Sequence, residues 1–383
     1  MSLIALRHVC RRAVPGVLLV ALATACAHAD TKRYSRKAAQ QSLTKLEQPG
    51  LLIGEFKLAK VVDGDTIQVD GLDSSLRLLG VDTEETFKND ADRRGASAGL
   101  DPYMTNKRGT SARPVKMATP MGEQAKAFAK HFFDGVDRVR LERDHPAEIR
   151  DRYNRYLAYV MIRRGDTWLN YNVECVRAGM APYFPKYGNS RRFHAEFLAA
   201  EATAKQAQLG IWAPGAPGYV DYAEREAWWT ARGNFVDEFR AAAEGKPNHV
   251  DITHWDALQR LESFVGKPVV VLGTVGDVRL NERGPTKVTL SRRLGSDFPL
   301  MFFERDVLGT SGIAAWKGEF VIVSGVPTLY ENKRDHSKQL QIVIDRASQI
   351  RLSPVPGLAP PTPGVEPAAP GQPEPTAPST DTP

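Results

Sequence analysis

Residues 61–86 read VVDGDTIQVDGLDSSLRLLGVDTEET, and this stretch decides the fold class. Apolar side chains at Phe56, Leu58 and Val61, then at Ile67 and Val69, alternate in the manner of half-buried strands. Asp63-Gly64-Asp65 between the two runs is a turn signal, because Asp hydrogen-bonds locally and Gly relaxes the backbone. A further run, Leu76 to Val81, predicts a strand that ends in the acidic cluster Asp82-Thr83-Glu84-Glu85. Asp65 and Asp82 therefore stand at the ends of neighbouring predicted strands.

Working outward, residues 87–121 are rich in Gly, Asp, Lys and Arg with little periodicity, which predicts a long mobile loop. Helical spacing follows at Ala125, Phe128, Ala129 and Phe132, then strands at Val136 to Leu141 and Tyr156 to Ile162. Leu169, Val173, Val176 and Met180 mark one helix, and Phe193, Phe197, Ala200 and Ala204 another that ends at Gly210. Residues 214–265 read as a helical linker with Trp228, Trp229 and Phe235 to bury. Five more strands are expected at 269–280, 287–290, 300–303, 320–329 and 340–344, as in a small barrel or sandwich. The expected class is α+β, mainly β with helices.

Taken singly, the turn 63–65, the cluster 82–85 and the tight turn Asp151-Arg152-Tyr153-Asn154-Arg155 say little. Together they describe chemistry. Asp65 and Asp82 can converge on one hard cation that takes several oxygen ligands, and no His or Cys there has zinc-type spacing. Glu85 reaches the same pocket, Arg77 projects from the strand that delivers Asp82, and Arg155 comes from a turn elsewhere. A cation and two guanidinium groups neutralise the charge that builds on phosphoryl oxygens, while a carboxylate handles the attacking water. A phosphodiester is the substrate such a set suits.

On these motifs the block from Phe56 to Trp212 resembles the staphylococcal-type thermonuclease family. The resemblance implies a five-stranded OB barrel capped by three helices, and calcium-dependent hydrolysis of DNA and/or RNA. It implies Asp65 and Asp82 as side-chain calcium ligands, with Thr83 as a backbone-carbonyl ligand. Glu85 becomes the group that activates water, Arg77 and Arg155 the phosphate-clamping arginines, and Asp63 an acid behind the metal ligands. Two positions depart from the family pattern. Glu84 stands where Pro is usual, an extra carboxylate expected to change metal affinity or to repel phosphate. Asn154 replaces a Gly, and Asn tolerates the left-handed backbone better than other residues with a Cβ. Arg93, Arg94, Lys107 and Arg108 in the 87–121 segment are candidates to hold a nucleic-acid strand.

The stretches 266–275, 317–325 and 340–344 resemble a second, nucleic-acid-binding OB-type barrel. Its candidate contacts include Phe302 and Tyr330, with Arg279, Arg283, Lys287, Phe303, Lys333 and Arg334 beside them. No catalytic constellation is legible there.

The expected division is a signal peptide at 1–29, a lead segment at 30–53, a thermonuclease-like unit at 54–213, the linker at 214–265, an OB-like unit at 266–352 and a Pro-rich tail at 353–383. Arg7, Arg11 and Arg12, an apolar run from Ala13 to Ala23 and Ala27-His28-Ala29 predict cleavage after Ala29 and a secreted or periplasmic product. Ala23-Thr24-Ala25-Cys26 also resembles a lipoprotein site, which would place the chain on a membrane. Cleavage after Ala29 leaves Cys175 alone, expected as core packing. A mean hydropathy of −0.35, with 42% hydrophobic and 25% charged residues, excludes a multispanning, disordered or fibrous protein. The net charge of +6 sums a leader of +3, a tail of −3 and a body of +6, so it is a poor guide to partners. The rival reading is a nucleic-acid-binding or cell-envelope protein on a catalytically weak or inactive nuclease fold.

Overall fold

A computed structural model describes residues 50–358, apart from 73, 149, 283, 293–295 and 333–335. The expected signal peptide, the lead segment up to residue 49, the tail beyond 358 and the candidates Arg283, Lys333 and Arg334 lie outside the described residues. Among those described, no helix is long and apolar enough to cross a membrane.

The alternation at 56–69 folds into β1 (Leu52–Asp63) and β2 (Thr66–Val69), an antiparallel pair turning at Gly64-Asp65. The run at 76–81 is two strands, β3 (Leu76–Leu78) and β4 (Gly80–Val81), rather than one. Gly80 makes the break: its φ is 72°, and an added Cβ would stand 2.5 Å from the Phe197 ring. Buried Asn172 secures it, its Nδ2 donating to the Leu79 and Ala158 carbonyls at 2.8 and 3.1 Å.

The 87–121 segment corrects the loop expectation. It holds α1 (Asp90–Ala98), capped by the Asn89 side chain, and α2 (Leu100–Arg108). Ala96, Tyr103, Met104 and Met117 form a small buried cluster that lends these short helices the tertiary packing they need. Helix α3 (Pro120–Phe132) follows, with Thr119 as cap, Pro120 in the first turn, and Met121, Ala125 and Ala129 buried along one stripe. Then come β5 (Arg138–Glu142), β6 (Tyr156–Arg164), β7 (Thr167–Asn170), α4 (Tyr171–Arg177), β8 (Tyr183–Phe184) and α5 (His194–Gln206). Leu169, expected to open a helix, instead lies in β7. The first sheet runs β2-β1-β5-β6-β3, with β7 on β6. Its core includes Ile67, Leu76, Leu78, Tyr156, Val160 and Cys175. Cys175 is fully buried and burial pushes its thiol up to about 12, which leaves it inert packing.

Residues 214–265 hold more than helix. A 22-residue helix, α6 (Tyr222–Ala243), leads to β9 (His249–Asp251) and α7 (Ala257–Ser263), and β9 pairs in parallel with β10 (Val269–Arg279). The chain continues through β11 (Thr286–Ser291), β12 (Phe298–Phe302), α8 (Arg305–Ser311), β13 (Phe320–Gly325), β14 (Pro327–Glu331), β15 (Lys338–Ile344) and β16 (Ile350–Leu352). The second sheet runs β14-β15-β12-β11-β10-β13-β16. β13 pairs with β10, while β14, one residue further on, pairs with β15. That bent segment joins both sides of the sheet and curls it around Val271, Leu290, Phe298, Phe302, Trp316 and Ile342.

Side chains tie the two halves together. Glu319, 1% exposed, accepts from Arg113 Nη1 at 2.9 Å and Trp228 Nε1 at 3.1 Å and pairs with Arg232 at 3.3 Å. Three donors on one carboxylate offset the cost of burying it.

Candidate active site

The site begins with two backbone devices. The turn carrying Asp63 and Asp65 is held from below by the Tyr171 hydroxyl, which donates to the Gly64 carbonyl at 2.6 Å. Asp63 Oδ1 accepts from the Gly64 N–H at 3.0 Å and Oδ2 from the Thr86 hydroxyl at 3.1 Å. Asp63 thus binds the turn to the far end of the acidic loop. Burial pushes its carboxyl above the usual range, against the pull of the Gly64 N–H.

The second device is α3, whose first turn lies against the acidic loop. A Cβ added to Gly122 would stand 2.1 Å from the Glu85 carbonyl oxygen and 2.7 Å from that of Glu84. Alanine is the better helix former by about 1 kcal/mol, but the obstruction is backbone, and overpacking costs about 1–3 kcal/mol. Gly122→Ala is therefore expected to lower unfolding stability in urea. An unchanged or raised midpoint would show that the loop yields.

At the centre, Arg77 is 5% exposed. Its Nη1 donates to Asp65 Oδ2 at 2.5 Å and its Nη2 to Asp82 Oδ1, with a longer bond to the Val81 carbonyl at 3.3 Å. Lys116 Nζ reaches Asp82 Oδ1 at 2.5 Å and stands 3.8 Å from Glu85 Oε1. Burial alone would push the Asp82 carboxyl up, but Lys116 and Arg77 hold it well below the usual range. Burial would likewise lower Arg77, and Asp65 and Asp82 outweigh it. Glu85 is one-third exposed and is also met by Lys88 at 3.0 Å. Asp65, Arg77, Asp82 and Glu85 thus share one pocket.

Arg155 sits differently. Its Nε and Nη2 grip Asp151 Oδ2 at 2.8 and 2.6 Å, and its guanidinium lies over the Tyr153 ring. Its ion pair is with Asp151 rather than with Asp65 or Asp82. Half-buried Tyr187 is near both sets: burial raises its hydroxyl pKa, and the charges of Asp151, Arg77, Arg155 and Asp82 all reach it. Asn154 takes φ 67°, the left-handed conformation expected of it.

Glu84 corrects its expected role. It is 1% exposed and turned away from the pocket, accepting from the Tyr222 hydroxyl at 2.6 Å, the Tyr219 N–H at 2.9 Å and the Thr119 hydroxyl. It neither faces a phosphate nor joins the acid pair. It anchors the acidic loop to the start of α6.

Several expected strand contacts are also re-placed. Arg108 points inward and pairs with Glu224 at 2.8 Å and Asp221 at 3.2 Å, and Lys107 pairs with Asp92 at 2.6 Å. Arg93 lies over Phe87 and 3.5 Å from Glu123, while Arg94 is exposed. Phe302 is 1% exposed and belongs to the core, because Phe298, Leu300 and Phe302 share the inner face of β12. Its neighbour Phe303, 61% exposed, and Tyr330, 52% exposed, are the rings open to solvent.

Sequence reasoning gave three side chains no place in the acid site. Lys116 lay among the basic residues of the supposed loop. Lys186 and Tyr187 follow β8, and only their position just beyond a strand end gives a signal. Burial, and then the charge of Arg77, draw Lys186 down to about 8.

The donor set can be tested against a cation. Asp65 and Asp82 supply carboxylate oxygens, and the Thr83 hydroxyl is buried with no hydrogen-bond partner. An all-oxygen set of this kind fits a hard dication.

Residues 75–214 match the family described as Staphylococcal nuclease homologue. The chain is 34% identical over 164 residues to the thermonuclease of Staphylococcus intermedius, covering 42% of this chain and 77% of that one. It is 31% identical over 165 residues to the thermonuclease of Staphylococcus hyicus, covering 41% and 75%. Over 188 residues it is 30% identical to endonuclease YhcR of Bacillus subtilis, covering 46% of this chain and 13% of that protein. With matched residues that run from Arg77 through Arg155, the chain belongs to the staphylococcal nuclease homologue family.

Proposed function

We propose that the protein is an exported, calcium-dependent nuclease that hydrolyses phosphodiester bonds of DNA and/or RNA. The observation that carries this reading is Arg77 held between Asp65 and Asp82, with Glu85 next on the same loop. Asp65, Asp82 and the Thr83 carbonyl would hold calcium. When bound, calcium supplies positive charge against the phosphodiester oxygens.

The chain's own groups do the rest. Arg77, whose Nη groups lie on Asp65 and Asp82 here, would turn its fork to two phosphate oxygens once a cation takes over those carboxylates. Glu85, at the more open side of the pocket, takes a proton from the attacking water. Arg155, held by Asp151, presents its remaining donors to a phosphate arriving beside Tyr153 and Tyr187. Export rests on the N-terminal sequence, and cleavage after Ala29 would give a mature chain starting at Asp30.

Digestion of labelled DNA and RNA with calcium, with magnesium and with EDTA tests the reading. Cleavage in calcium that EDTA abolishes is expected, and binding without cleavage in calcium would establish the rival, a pure binder. Glu84, the extra carboxylate expected to act on metal or phosphate, is accounted for as an anchor.

Lys116 gives a second test. At about 4 Å a unit charge opposes a second like charge by about 1 kcal/mol even in water-like dielectric. Lys116→Met is therefore expected to tighten calcium binding roughly fivefold by calorimetry. Unchanged or weaker binding would show that the ammonium does not compete for Asp82.

A further inference from the structure

A second cluster lies away from the acid pocket, where the β5–β6 connection meets the segment after β9. His145 and Glu148 come from the first, His254 from the second and Asp251 from the last position of β9, and the Trp255 N–H donates to the Ala147 carbonyl at 3.1 Å to pin them together. One ligand atom from each of His145, Glu148 and His254 lies within 4.8 Å of the others. His254 is 8% exposed, and its Nε2 is buried with no hydrogen-bond partner. Glu148 Oε1 and Asp251 Oδ2 each stand 3.8 Å from that nitrogen. This is too long for a hydrogen bond. It is close to the roughly 3.4 Å that separates two ligands each about 2.0–2.2 Å from a tetrahedral zinc.

We propose that His145, Glu148 and His254, with Asp251, form a binding site for a transition-metal dication of the zinc class, separate from the all-oxygen pocket. The donor types choose the ion: imidazole nitrogens with carboxylates suit zinc, whereas calcium takes oxygen alone. Asp251 is arranged for the task. Its Oδ1 accepts from the Thr253 N–H and hydroxyl at 2.9 and 2.6 Å, which leaves Oδ2 toward His254. Glu148 Oε1 also accepts from Arg240 Nη2 at 3.3 Å, a contact that holds the carboxylate in place. The cluster opens on a cavity of about 560 Å³, which gives an ion a way in.

The two imidazoles are stacked, with centroids 5.0 Å apart and planes 15° from parallel. Stacked rings cannot both aim in-plane lone pairs at one ion, so binding turns His145, the less buried ring, out of the stack. The ion then clips the first half of the chain to the second.

The test uses the full chain, stripped with EDTA and titrated with zinc by calorimetry in excess calcium. The expected result is one zinc per chain, visible d–d bands with cobalt in its place, and a melting temperature that rises with zinc. His254→Ala and His145→Ala should each weaken zinc binding at least tenfold, while Asp82→Asn and the exposed-site control His131→Ala keep it. If His254→Ala fails to fold by circular dichroism, His145→Ala carries the comparison. No zinc uptake, or equal uptake by the wild type and the His145→Ala variant, overturns the proposal.

Discussion

Arg77→Ala is expected to lower kcat/KM on labelled DNA by about 10²–10³-fold, the usual loss when one preorganised donor to a charged transition state is removed. Stability should fall as well. Arg77 is the shared cation of Asp65 and Asp82, both buried, and removing it leaves Asp82 with Lys116 alone. Breaking a buried ion pair from one side typically costs about 3–5 kcal/mol. Saturating calcium would give those carboxylates a new partner, so it should raise the melting temperature of the variant more than that of the wild type. Arg77→Lys is not expected to rescue activity, since a single ammonium cannot reproduce a guanidinium that reaches both acids. Circular dichroism separates lost chemistry from lost fold. Activity within threefold of wild type in a folded Arg77→Ala protein would remove Arg77 from the mechanism.

Glu84→Ala is expected to destabilise the chain by about 3–5 kcal/mol in urea unfolding, because three donors lose a buried acceptor at about 1–3 kcal/mol each and partial relaxation recovers some of it. The donors are the Tyr222 and Thr119 hydroxyls and the Tyr219 N–H. Glu84→Gln keeps an acceptor oxygen and should cost less. Activity should fall too, since Thr83 and Glu85 flank the anchor. A loss below about 1 kcal/mol would mean that water replaces the carboxylate at little cost.

The sequence-based reading and the structure agree where a local pattern meets a physical demand. The turn at 63–65 and the cluster at 82–85 were legible because strand alternation places them at strand ends. Asn154 was legible because few side chains tolerate a left-handed turn. Helices α1 and α2 were not legible: the side chains they bury are Ala96, Tyr103 and Met104, too sparse to show a helical period. Glu84 was misread because acidity in a cluster says nothing of direction, and its partners lie 35 to 138 residues away. The same holds for His145, Glu148 and His254, whose grouping depends on β9 joining the second sheet. Phe302 and Phe303 were indistinguishable until the end of β12 fixed which ring faces inward.

The anchoring of Glu84 bears on how such a protein can be taken apart. Residues 54–213 look like a portable cassette, yet excising them would strip Glu84 of Tyr219 and Tyr222, and Arg113 of Glu319. The cut fragment would carry a buried carboxylate with most of its donors missing, immediately beside Asp82 and Glu85. Recombination at that seam would succeed only with a compensating change, such as Pro at position 84, which needs no partner. In this chain the residue at 84 thus makes the nuclease unit depend on the segment that follows it.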